Sequence, residues 1–379
     1  MFMTKKSLII LFGVIGVSIM TIGVVFANRW NQPLGTSMNL ATRTPTELVA
    51  EQPQPDIEMT PEELAELEGS EPTPMGTPTP TAPQPVCGGP PIMYILGMGV
   101  ASHDMDYQYG LADVIRIARI DFVTPKVTVL TLPRDLWVEL PGIKEPHAER
   151  VTHGKLNQAY LYGGPGMDYY EGSGGGPGLL AHTIAHNYGL YVDHYGAVNM
   201  HAFERIVDAV GGIDIYLDQD WDGTPVDDET EDMGYFRAGQ WHMTGAQALR
   251  FSRIRKRYSE VARTDNQTLV LCGLKDQLTS PSVVTKIPEL IRSMIGMVQT
   301  DLSPSQIRQL TCLVPKLSSD NLHFIRFPDE MMVQGRVYDP NQRGTTFVWD
   351  IPVEEIQAFI RDFENDAIPV DTSGGMSCP

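Results

Sequence analysis

Positively charged residues are scarce in this chain of 379 residues. It holds 28 Lys and Arg against 47 Asp and Glu, which gives a net charge of −19. Between Thr44 and Ile115 there is no Lys or Arg, whereas about twelve Asp and Glu occur there. A protein that binds nucleic acid nonspecifically needs a basic surface to neutralise the phosphates. The composition therefore argues against nucleic acid as a partner, although it does not exclude a local basic pocket.

Several common catalytic signatures are also missing. The Gly-rich stretch at 172–178 lacks the Lys-Ser/Thr pair of a phosphate-binding loop. The spacing of Gly97 and Gly99 is too short for a dinucleotide fingerprint, and no serine stands in a nucleophile elbow. The function must therefore be sought in the placement of charged side chains.

Cysteine is rare, and no two cysteines form a CxxC pair, so a zinc or redox motif has no support. The four cysteines are Cys87, Cys272, Cys312 and Cys378. Disulfides are permitted if these residues lie outside the cytoplasm. We expect a Cys272–Cys312 bond within the folded region and a Cys87–Cys378 bond joining its two ends, although four cysteines allow three pairings.

The N-terminal region contains an apolar run at 8–27, long enough for a helix to cross roughly 30 Å of hydrocarbon. Lys5 and Lys6 precede this run and Arg29 follows it. The greater positive charge on the short side predicts a cytoplasmic tail over 1–7 and a single-pass membrane anchor over 8–27. The alternative is a cleaved signal peptide that ends near 25–27. Both interpretations place the rest of the chain outside the cytoplasm.

After the anchor, residues 28–88 are rich in Pro, Thr and Glu. This composition cannot bury a core and favours extended geometry, so we expect a disordered stalk that spaces a folded domain from the membrane. The folded part is predicted to comprise a domain over 89–300 and a C-terminal extension over 301–379 packed on the same core.

The hydrophobic patterns of the folded part mix the periods of strands and helices, which is typical of a layered α/β domain. The acidic, Gly-containing stretch at 218–238 is predicted to be a loop. Strands are predicted over 93–96, 114–123, 127–132, 213–217, 322–327 and 345–351, and helices over 179–188, 201–210, 244–250, 264–278 and 353–363.

The arginines carry the most functional information. Arg134 and Asp135 directly follow the strand predicted over 127–132, and ligands of α/β sheets bind where strands end. Arg253 and Arg255 follow the helix that begins at Thr244. If that segment is extended, their side chains point the same way.

Arg263 and Gln267 are four residues apart on one predicted helix, and the same helix continues into apolar residues. Such a face describes a charged site at the mouth of an apolar slot. Arginines can neutralise a diphosphate, and an apolar slot suits a hydrocarbon tail, so the pattern indicates a lipid-linked phosphate. The alternative is that the arginines pair with surface acids and that the stripe is ordinary core. The slot residues are Val270, Leu271, Leu274 and Leu278.

Five segments in order resemble the LytR-CpsA-Psr family of cell-envelope proteins. Their order and spacing match that family over about 92–280. The segments are the strand followed by Leu-Pro-Arg-Asp at 130–137, Lys-Leu-Asn-Gln-Ala-Tyr at 155–160 with Gly163 and Gly164, the block with Gly-Gly-Ile-Asp at 195–217, the Arg-x-Arg segment at 248–255, and Arg263 to Gln267.

The resemblance implies an α-β-α domain with a central mixed sheet. It also implies transfer of a glycopolymer from a polyprenyl-diphosphate carrier to peptidoglycan, usually with Mg²⁺. By position, Asp113 matches a metal ligand, Asp135 matches the acid beside the first Arg, and Glu260 stands where the family has an Asp considered for base or metal duties. Glu260 or Asp135 is expected to act as the general base. The residues that match the diphosphate-binding set are Arg134, Arg253, Arg255, Arg263 and Gln267.

This chain departs from the family pattern at three positions. Gly99 stands where a metal-binding Asp is expected, and Leu111 and Asn266 stand where the family has Arg. Asp104 and Asp106 lie close enough in sequence to replace the missing carboxylate. Two alternatives therefore stay open: a non-catalytic protein that binds polyprenyl phosphates or wall glycans, and a polyprenyl pyrophosphatase.

Overall fold

The computed structural model describes residues 31–38, 83–102, 107–284, 286, 289–290, 296–369 and 376–378. Residues 1–40 and 85–379 belong to one compact unit, and 41–84 belong to a second, of which only 83 and 84 are described. The predicted anchor and most of the predicted stalk lie outside the described residues, but 31–38 and 83–88 of the stalk are described. The prediction of disorder is wrong for 31–38 and 85–88, because the Leu34 N–H donates to the Leu302 carbonyl oxygen and Cys87 is disulfide-bonded to Cys312. Within the described ranges, no helix has both the length and the apolar character needed to cross a membrane.

The first unit alternates strands and helices. Its strands are β1 (Ile92–Val100), β2 (Ala112–Asp121), β3 (Lys126–Thr131), β4 (Trp137–Glu139), β5 (His153–Lys155), β6 (His194–Asn199), β7 (Ile213–Leu217), β8 (Trp221–Gly223), β9 (Gly234–Phe236), β10 (Gly239–Met243), β11 (Gln299–Thr300), β12 (Leu322–Arg326), β13 (Gln334–Asp339), β14 (Gly344–Trp349) and β15 (Met376–Ser377). Its α-helices are α1 (Leu156–Gly163), α2 (Gly175–Tyr188), α3 (Met200–Ala209), α4 (Gly245–Arg253), α5 (Glu260–Thr279), α6 (Pro281–Val284), α7 (Pro304–Leu313) and α8 (Val353–Glu364).

A seven-stranded mixed sheet organises these elements, in the order β11-β6-β1-β2-β3-β12-β15. Strands β1, β2 and β3 form an antiparallel meander, whereas β6 runs parallel to β1 and β12 runs parallel to β3. The predicted α/β class with a central mixed sheet is confirmed.

The two faces of the sheet differ in what covers them. On β2, Ile115 and Ile117 point into the main core, together with buried residues of α1 and α2. Val114, Arg116 and Ala118 alternate with them and point to the opposite face, where α5 lies across a cavity. Because successive side chains of a strand point to opposite faces, β2 contributes one set of side chains to the packed core and the other set to the cavity.

Residues after 300 contribute to the same sheet and to the main core. Strand β12 pairs with β3 so that Phe324 lies opposite Val129. Helix α8 buries Ile356, Ile360 and Phe363 in the core that also contains residues of α1 and α2.

The predicted disulfide pairing is wrong. The bonds are Cys87–Cys312 and Cys272–Cys378. Cys87, just before β1, meets the end of α7, while β15 brings Cys378 beside Cys272 of α5. Distance along the chain carries no information here, because the sheet order rather than the sequence order sets which cysteines meet.

Three local predictions also need correction. The acidic stretch at 218–238 is not all loop, since β8 and β9 pair as a hairpin within it. Helix α4 extends to Arg253, so Arg253 is helical and Arg255 lies in the turn beyond, rather than both lying on an extended segment. Helix α5 begins at Glu260, because the Ser259 hydroxyl accepts a hydrogen bond from the Ala262 N–H and caps it.

Candidate functional site

A cavity of about 810 Å³ lies between the sheet and α5. Helix α5 lines both the charged end and the apolar end of this cavity. Its early turns contribute Arg263 and Gln267 to the charged end, and its later turns contribute leucines to the apolar end. The structure brings together in its wall nine residues that the sequence singled out: Asp113, Arg253, Arg255, Arg263, Gln267, Val270, Leu271, Leu274 and Leu278.

The apolar end exists because the facing strands carry small residues. Gly97 and Gly99 of β1 and Gly196 of β6 line the cavity opposite α5. A Cβ added to Gly196 would meet nothing within 4 Å, and one added to Gly97 would meet only the Arg116 carbonyl oxygen, at 3.6 Å. The leucine face of α5 is therefore not closed off by side chains from these positions.

Arg134 lies beside the cavity, at the centre of three carboxylates. Its Nη1 is 2.9 Å from Asp113 Oδ1, and its Nε is 3.1 Å from Asp135 Oδ2 and 3.5 Å from Glu260 Oε1. Burial opposes the charge on Arg134, but attraction to Asp113, Glu260 and Asp135 outweighs it and raises the pKa of Arg134. In the structure this arginine therefore holds three acids in place, and its part in binding the diphosphate stays a prediction.

Lys155 and Asn157 belong to this charge network, and the sequence analysis did not name them as site residues. The Lys155 Nζ is 2.7 Å from Asp135 Oδ1, and Asn157 Nδ2 donates to Asp113 Oδ1 at 3.1 Å. Gln158 fixes the start of α1, because its side chain accepts from the Lys155 N–H at 2.7 Å. Both residues lie in the 155–160 segment, so that motif was the signal that could have identified them.

Arg263 is buried and connects the network to the cavity. It forms an ion pair with Glu260 one turn earlier on α5, and its Nη2 donates to the Asp113 carbonyl oxygen at 3.3 Å. Burial lowers the pKa of Arg263; Glu260 opposes this shift, and Arg134 adds to it. The buried Nε of Arg263 has no hydrogen-bond partner among the described residues.

The arginines at the rim have different surroundings. Arg253 forms two bonds to Glu231 of the segment between β8 and β9, at 3.3 Å for Nη1 and 2.7 Å for Nη2. Arg255 is exposed to solvent. Gln267 Nε2 donates to the Ser252 carbonyl oxygen at 3.4 Å and so ties α5 to α4.

Arg116 is the residue that the sequence analysis missed entirely. It lies on the cavity face of β2, and its guanidinium is 5.6 Å from the centroid of the Phe324 ring. Burial lowers the pKa of Arg116 to about 10, with Asp265 opposing the shift and Arg263 adding to it. The signal in the sequence was a charged residue directly between Ile115 and Ile117 in the middle of a predicted strand.

The carboxylates of the described residues form no group of three or more metal-ligating side chains. Asp113 Oδ1 already pairs with Arg134 and Asn157. Gly99 lies opposite Val114 in the sheet, next to Asp113, and supplies no carboxylate. Asp104 and Asp106 lie outside the described residues. The described side chains therefore do not by themselves fit a magnesium site.

The mixed sheet thus carries a cationic pocket that opens into an apolar cavity. A site of this class suits a ligand in which an anionic group is joined to a long apolar chain. Residues 91–350 match the model of the LytR_cpsA_psr family. The chain belongs to this family.

A curated relative is a protein of Oceanobacillus iheyensis named polyisoprenyl-teichoic acid–peptidoglycan teichoic acid transferase TagU. It is 32% identical over 219 residues, which are 57% of this chain and 61% of the relative. The chain thus spans about three fifths of that protein's length.

Solved structures share the fold. The crystal structure of Bacillus subtilis TagV superposes with a TM-score of 0.54 at 24% identity, covering 73% of this chain and 98% of that one. A structure described as TagT bound to LIIa-WTA superposes with a TM-score of 0.56 at 19% identity, covering 75% of this chain and 96% of that one. At these identities the likeness establishes the fold alone.

Proposed function

We propose that this protein is a phosphotransferase that moves a glycopolymer from a polyprenyl-diphosphate carrier to peptidoglycan at the outer face of a cell membrane. The observation that carries the proposal is the cavity wall supplied by α5, where Arg263 and Gln267 lead directly into Leu271, Leu274 and Leu278. The printed name of the Oceanobacillus relative, a polyisoprenyl-teichoic acid transferase, supports the same class of donor.

In this proposal the donor binds with its diphosphate among the arginines and its tail along the leucines. Arg253, Arg255 and Arg263 neutralise the diphosphate, because guanidinium groups donate several fixed hydrogen bonds to phosphate oxygens. The slot holds the apolar tail and excludes water from it. Fixed cations of this kind also stabilise the charge that develops during phosphoryl transfer.

The proposed reaction is a single displacement at phosphorus. A hydroxyl oxygen of peptidoglycan forms a bond to the phosphorus that carries the glycan. The bond from that phosphorus to the bridging oxygen breaks, its electron pair stays on the bridging oxygen, and polyprenyl phosphate leaves. The hydroxyl proton passes to a carboxylate acting as general base.

Glu260 and Asp135 are the two candidate bases, and their surroundings differ. The Asp135 side chain is 10% exposed and held by both Arg134 and Lys155. The Glu260 side chain is 20% exposed and lines a small pocket that shares Asp113, Arg263 and Gln267 with the main cavity. This access favours Glu260 as the base and Asp135 as the residue that positions Arg134 and Lys155.

We also propose Mg²⁺ as a cofactor that binds together with the donor. Asp113 would hold it, with phosphate oxygens and water completing the shell, since Mg²⁺ is commonly bound by one or two carboxylates and substrate phosphates. Bound in this way, Mg²⁺ would supply additional neutralisation of phosphate charge. The roles given above to the arginines do not depend on it.

The proposed location is a single-pass anchor over 8–27 with the folded domain outside the cytoplasm. Two disulfides within the described domain support this location, because such bonds persist in oxidising compartments. The location also suits the proposed donor, which would lie in the leaflet to which the anchor delivers the domain.

A second candidate function is binding without transfer. It is favoured by Gly99, which leaves Asp113 without a carboxylate on the neighbouring strand. A protein of this kind would sequester polyprenyl phosphates and release no product. A polyprenyl pyrophosphatase would differ from both by using water as the acceptor.

The decisive experiment is a transfer assay with a polyprenyl-diphosphate-linked glycan and peptidoglycan. Wild type should transfer, and Arg253→Ala should lose about 100-fold in rate, the loss typical of removing one group that stabilises transition-state charge. Asp113→Asn should also lose transfer, because Asp113 would hold Mg²⁺ and pairs with Arg134. Arg361→Ala, an exposed arginine on α8, is the matched control and should retain activity. Donor binding without turnover in wild type would favour the binding protein, and phosphate release without acceptor would favour the pyrophosphatase.

A further inference from the structure

Arg116 places a buried positive charge in the cavity wall with little to balance it. The residue is 5% exposed. Its Nη2 donates to the Thr264 carbonyl oxygen at 3.2 Å and to Thr268 Oγ1 at 3.1 Å, both on α5. Its Nε and Nη1 have no hydrogen-bond partner in the part of the chain that the structure describes. Three of the five N–H groups of a guanidinium are carried by these two atoms, so most of its donors are unused.

Asp265, the acid that attracts Arg116, does not form an ion pair with it in the described structure. Asp265 attracts it electrostatically, but the Asp265 carboxylate is already 3.5 Å from Arg326 Nε. The Phe324 ring offers only a weaker contact to the cation. Burying a cation without a paired anion is strongly unfavourable, and perturbed charges of this kind concentrate at functional sites.

Arg116 contacts helix α5 directly beside Arg263. Thr264, which accepts from Arg116, directly follows Arg263 on α5, and both arginines line the same cavity. Arg263 has an unpaired Nε of its own, and its charge repels that of Arg116. An anion bound between the two guanidinium groups would offset that repulsion. It would also accept hydrogen bonds from the unpaired N–H groups of both arginines.

Along α5, this pair lies between the rim and the apolar slot. The contacts of Arg116 fall at Thr264 and Thr268, about one to three turns before Leu271 and Leu274. A ligand that follows the cavity inward therefore meets Arg253 and Arg255 at the rim, then Arg263 and Arg116, and then the leucines.

We propose that Arg116 and Arg263 form an inner anion subsite that binds the phosphoryl group joined to the lipid, while the rim arginines bind the phosphoryl group joined to the glycan. This inference rests on the proposed function and assigns its two phosphates to two subsites. In the displacement described above, the lipid-side phosphate receives the electron pair of the broken bond. Arg116 thus stabilises the leaving group, and it makes the cavity selective for diphosphates over monophosphates.

A purely structural role and a ligand-binding role of Arg116 predict opposite effects of its substitution on the stability of the ligand-free protein. If Arg116 serves only to tie β2 to α5, Arg116→Met destabilises the protein. If it is an unbalanced charge kept for a ligand, Arg116→Met leaves the melting temperature of the ligand-free protein unchanged or raises it. Thermal melting of both variants Arg116→Met and Arg116→Lys also verifies that each is folded before binding is measured.

The test is calorimetric titration of the full chain with farnesyl diphosphate, farnesyl monophosphate and inorganic pyrophosphate. We expect wild type to bind farnesyl diphosphate about 10-fold to 100-fold more tightly than the monophosphate, the range for hydrogen bonds to a charged group. Arg116→Met should abolish most of that ratio, and Arg116→Lys should keep part of it. Arg361→Met, on the exposed face of α8, is the control and should keep the wild-type ratio.

The three ligands separate this inference from the proposed function. An unchanged ratio in Arg116→Met, with wild-type binding of farnesyl diphosphate, overturns the inner subsite and leaves the proposed donor intact. Pyrophosphate binding that depends on Arg116, without any affinity gained from the farnesyl chain, supports the subsite and contradicts the lipid-linked donor. A melting temperature well below wild type together with an unchanged ratio assigns Arg116 to structure alone.

Discussion

Both carboxylate oxygens of Glu231 bind the guanidinium of Arg253, at 3.3 and 2.7 Å. Glu231 comes from the acidic segment between β8 and β9, which lines one side of the cavity. A carboxylate bound in this bidentate way occupies the donors that a phosphate would use, because the two anions present oxygens in similar geometry. In the proposed function, a phosphate that binds these donors of Arg253 therefore has to displace Glu231.

Replacing Glu231 should strengthen anion binding. In Glu231→Gln the amide competes less well than the carboxylate for Arg253, so we expect affinity for inorganic pyrophosphate to rise by about 2-fold to 5-fold, since such a partly exposed pair contributes up to about 1 kcal/mol. Glu229→Gln is the matched control: Glu229 lies in the same segment and lines the same cavity. Equal gains in both variants, measured by calorimetry, would show that only the net charge of the segment matters.

Filling the slot should separate lipid binding from phosphate binding. Gly196→Val places a side chain where a Cβ meets nothing within 4 Å, so the fold should tolerate it while the slot narrows. We expect weaker binding of farnesyl diphosphate and unchanged binding of pyrophosphate. Gly344→Val, where a Cβ would meet only the Gln342 carbonyl oxygen at 3.8 Å, is the control on β14. Parallel losses for both ligands in Gly196→Val would argue against a tail in this slot.

Removing Arg134 should destabilise the protein. Arg134→Met leaves Asp113, Asp135 and Glu260 without their shared cation, and breaking such a buried pairing typically costs about 3–5 kcal/mol. Because the pKa of Arg134 is raised in the folded state, its stabilising contribution is fully present at all pH values below its unfolded pKa.

Urea unfolding of wild type and Arg134→Met measures this loss. A free energy of unfolding in Arg134→Met equal to that of wild type would contradict a charge-pairing role for Arg134.

Peptide mapping under non-reducing conditions should recover Cys87 with Cys312 and Cys272 with Cys378. The two bonds join residues 225 and 106 positions apart, and closing loops of such length restricts the unfolded chain. Cys378→Ser should therefore lower the free energy of unfolding by about 2–5 kcal/mol. A peptide that links Cys272 to Cys312 would contradict the arrangement of α5, α7 and β15 described above.

The sequence was most informative where function follows from the period of one element. Arg263, Gln267, Leu271, Leu274 and Leu278 recur at helical spacing, so their shared face on α5 could be predicted without a partner surface. The alternation along β2 carried similar information: Val114, Arg116 and Ala118 share one face. That face could not be interpreted, because nothing local showed whether it met a core or a cavity.

Contacts between distant segments could not be predicted in this way. The pairing of Arg253 with Glu231 depends on how the β8–β9 hairpin folds over α4, and the acidic stretch has no periodicity that reveals the hairpin's position. Arg134 was predicted as a phosphate ligand from its motif, yet three carboxylates from separate elements surround it. Charge balance of this kind is a property of the assembled site.

The sequence by itself therefore determined the family, the α/β class and the helix face that carries Arg263, Gln267 and the leucines. Each of these depends on residues close together in the chain. The tertiary structure decided which cysteines meet, that Glu231 occupies Arg253, and that Arg116 faces a cavity with its donors unused. The physical reason is that ion pairs, disulfides and burial depend on distance in space, which the order of strands in the sheet sets.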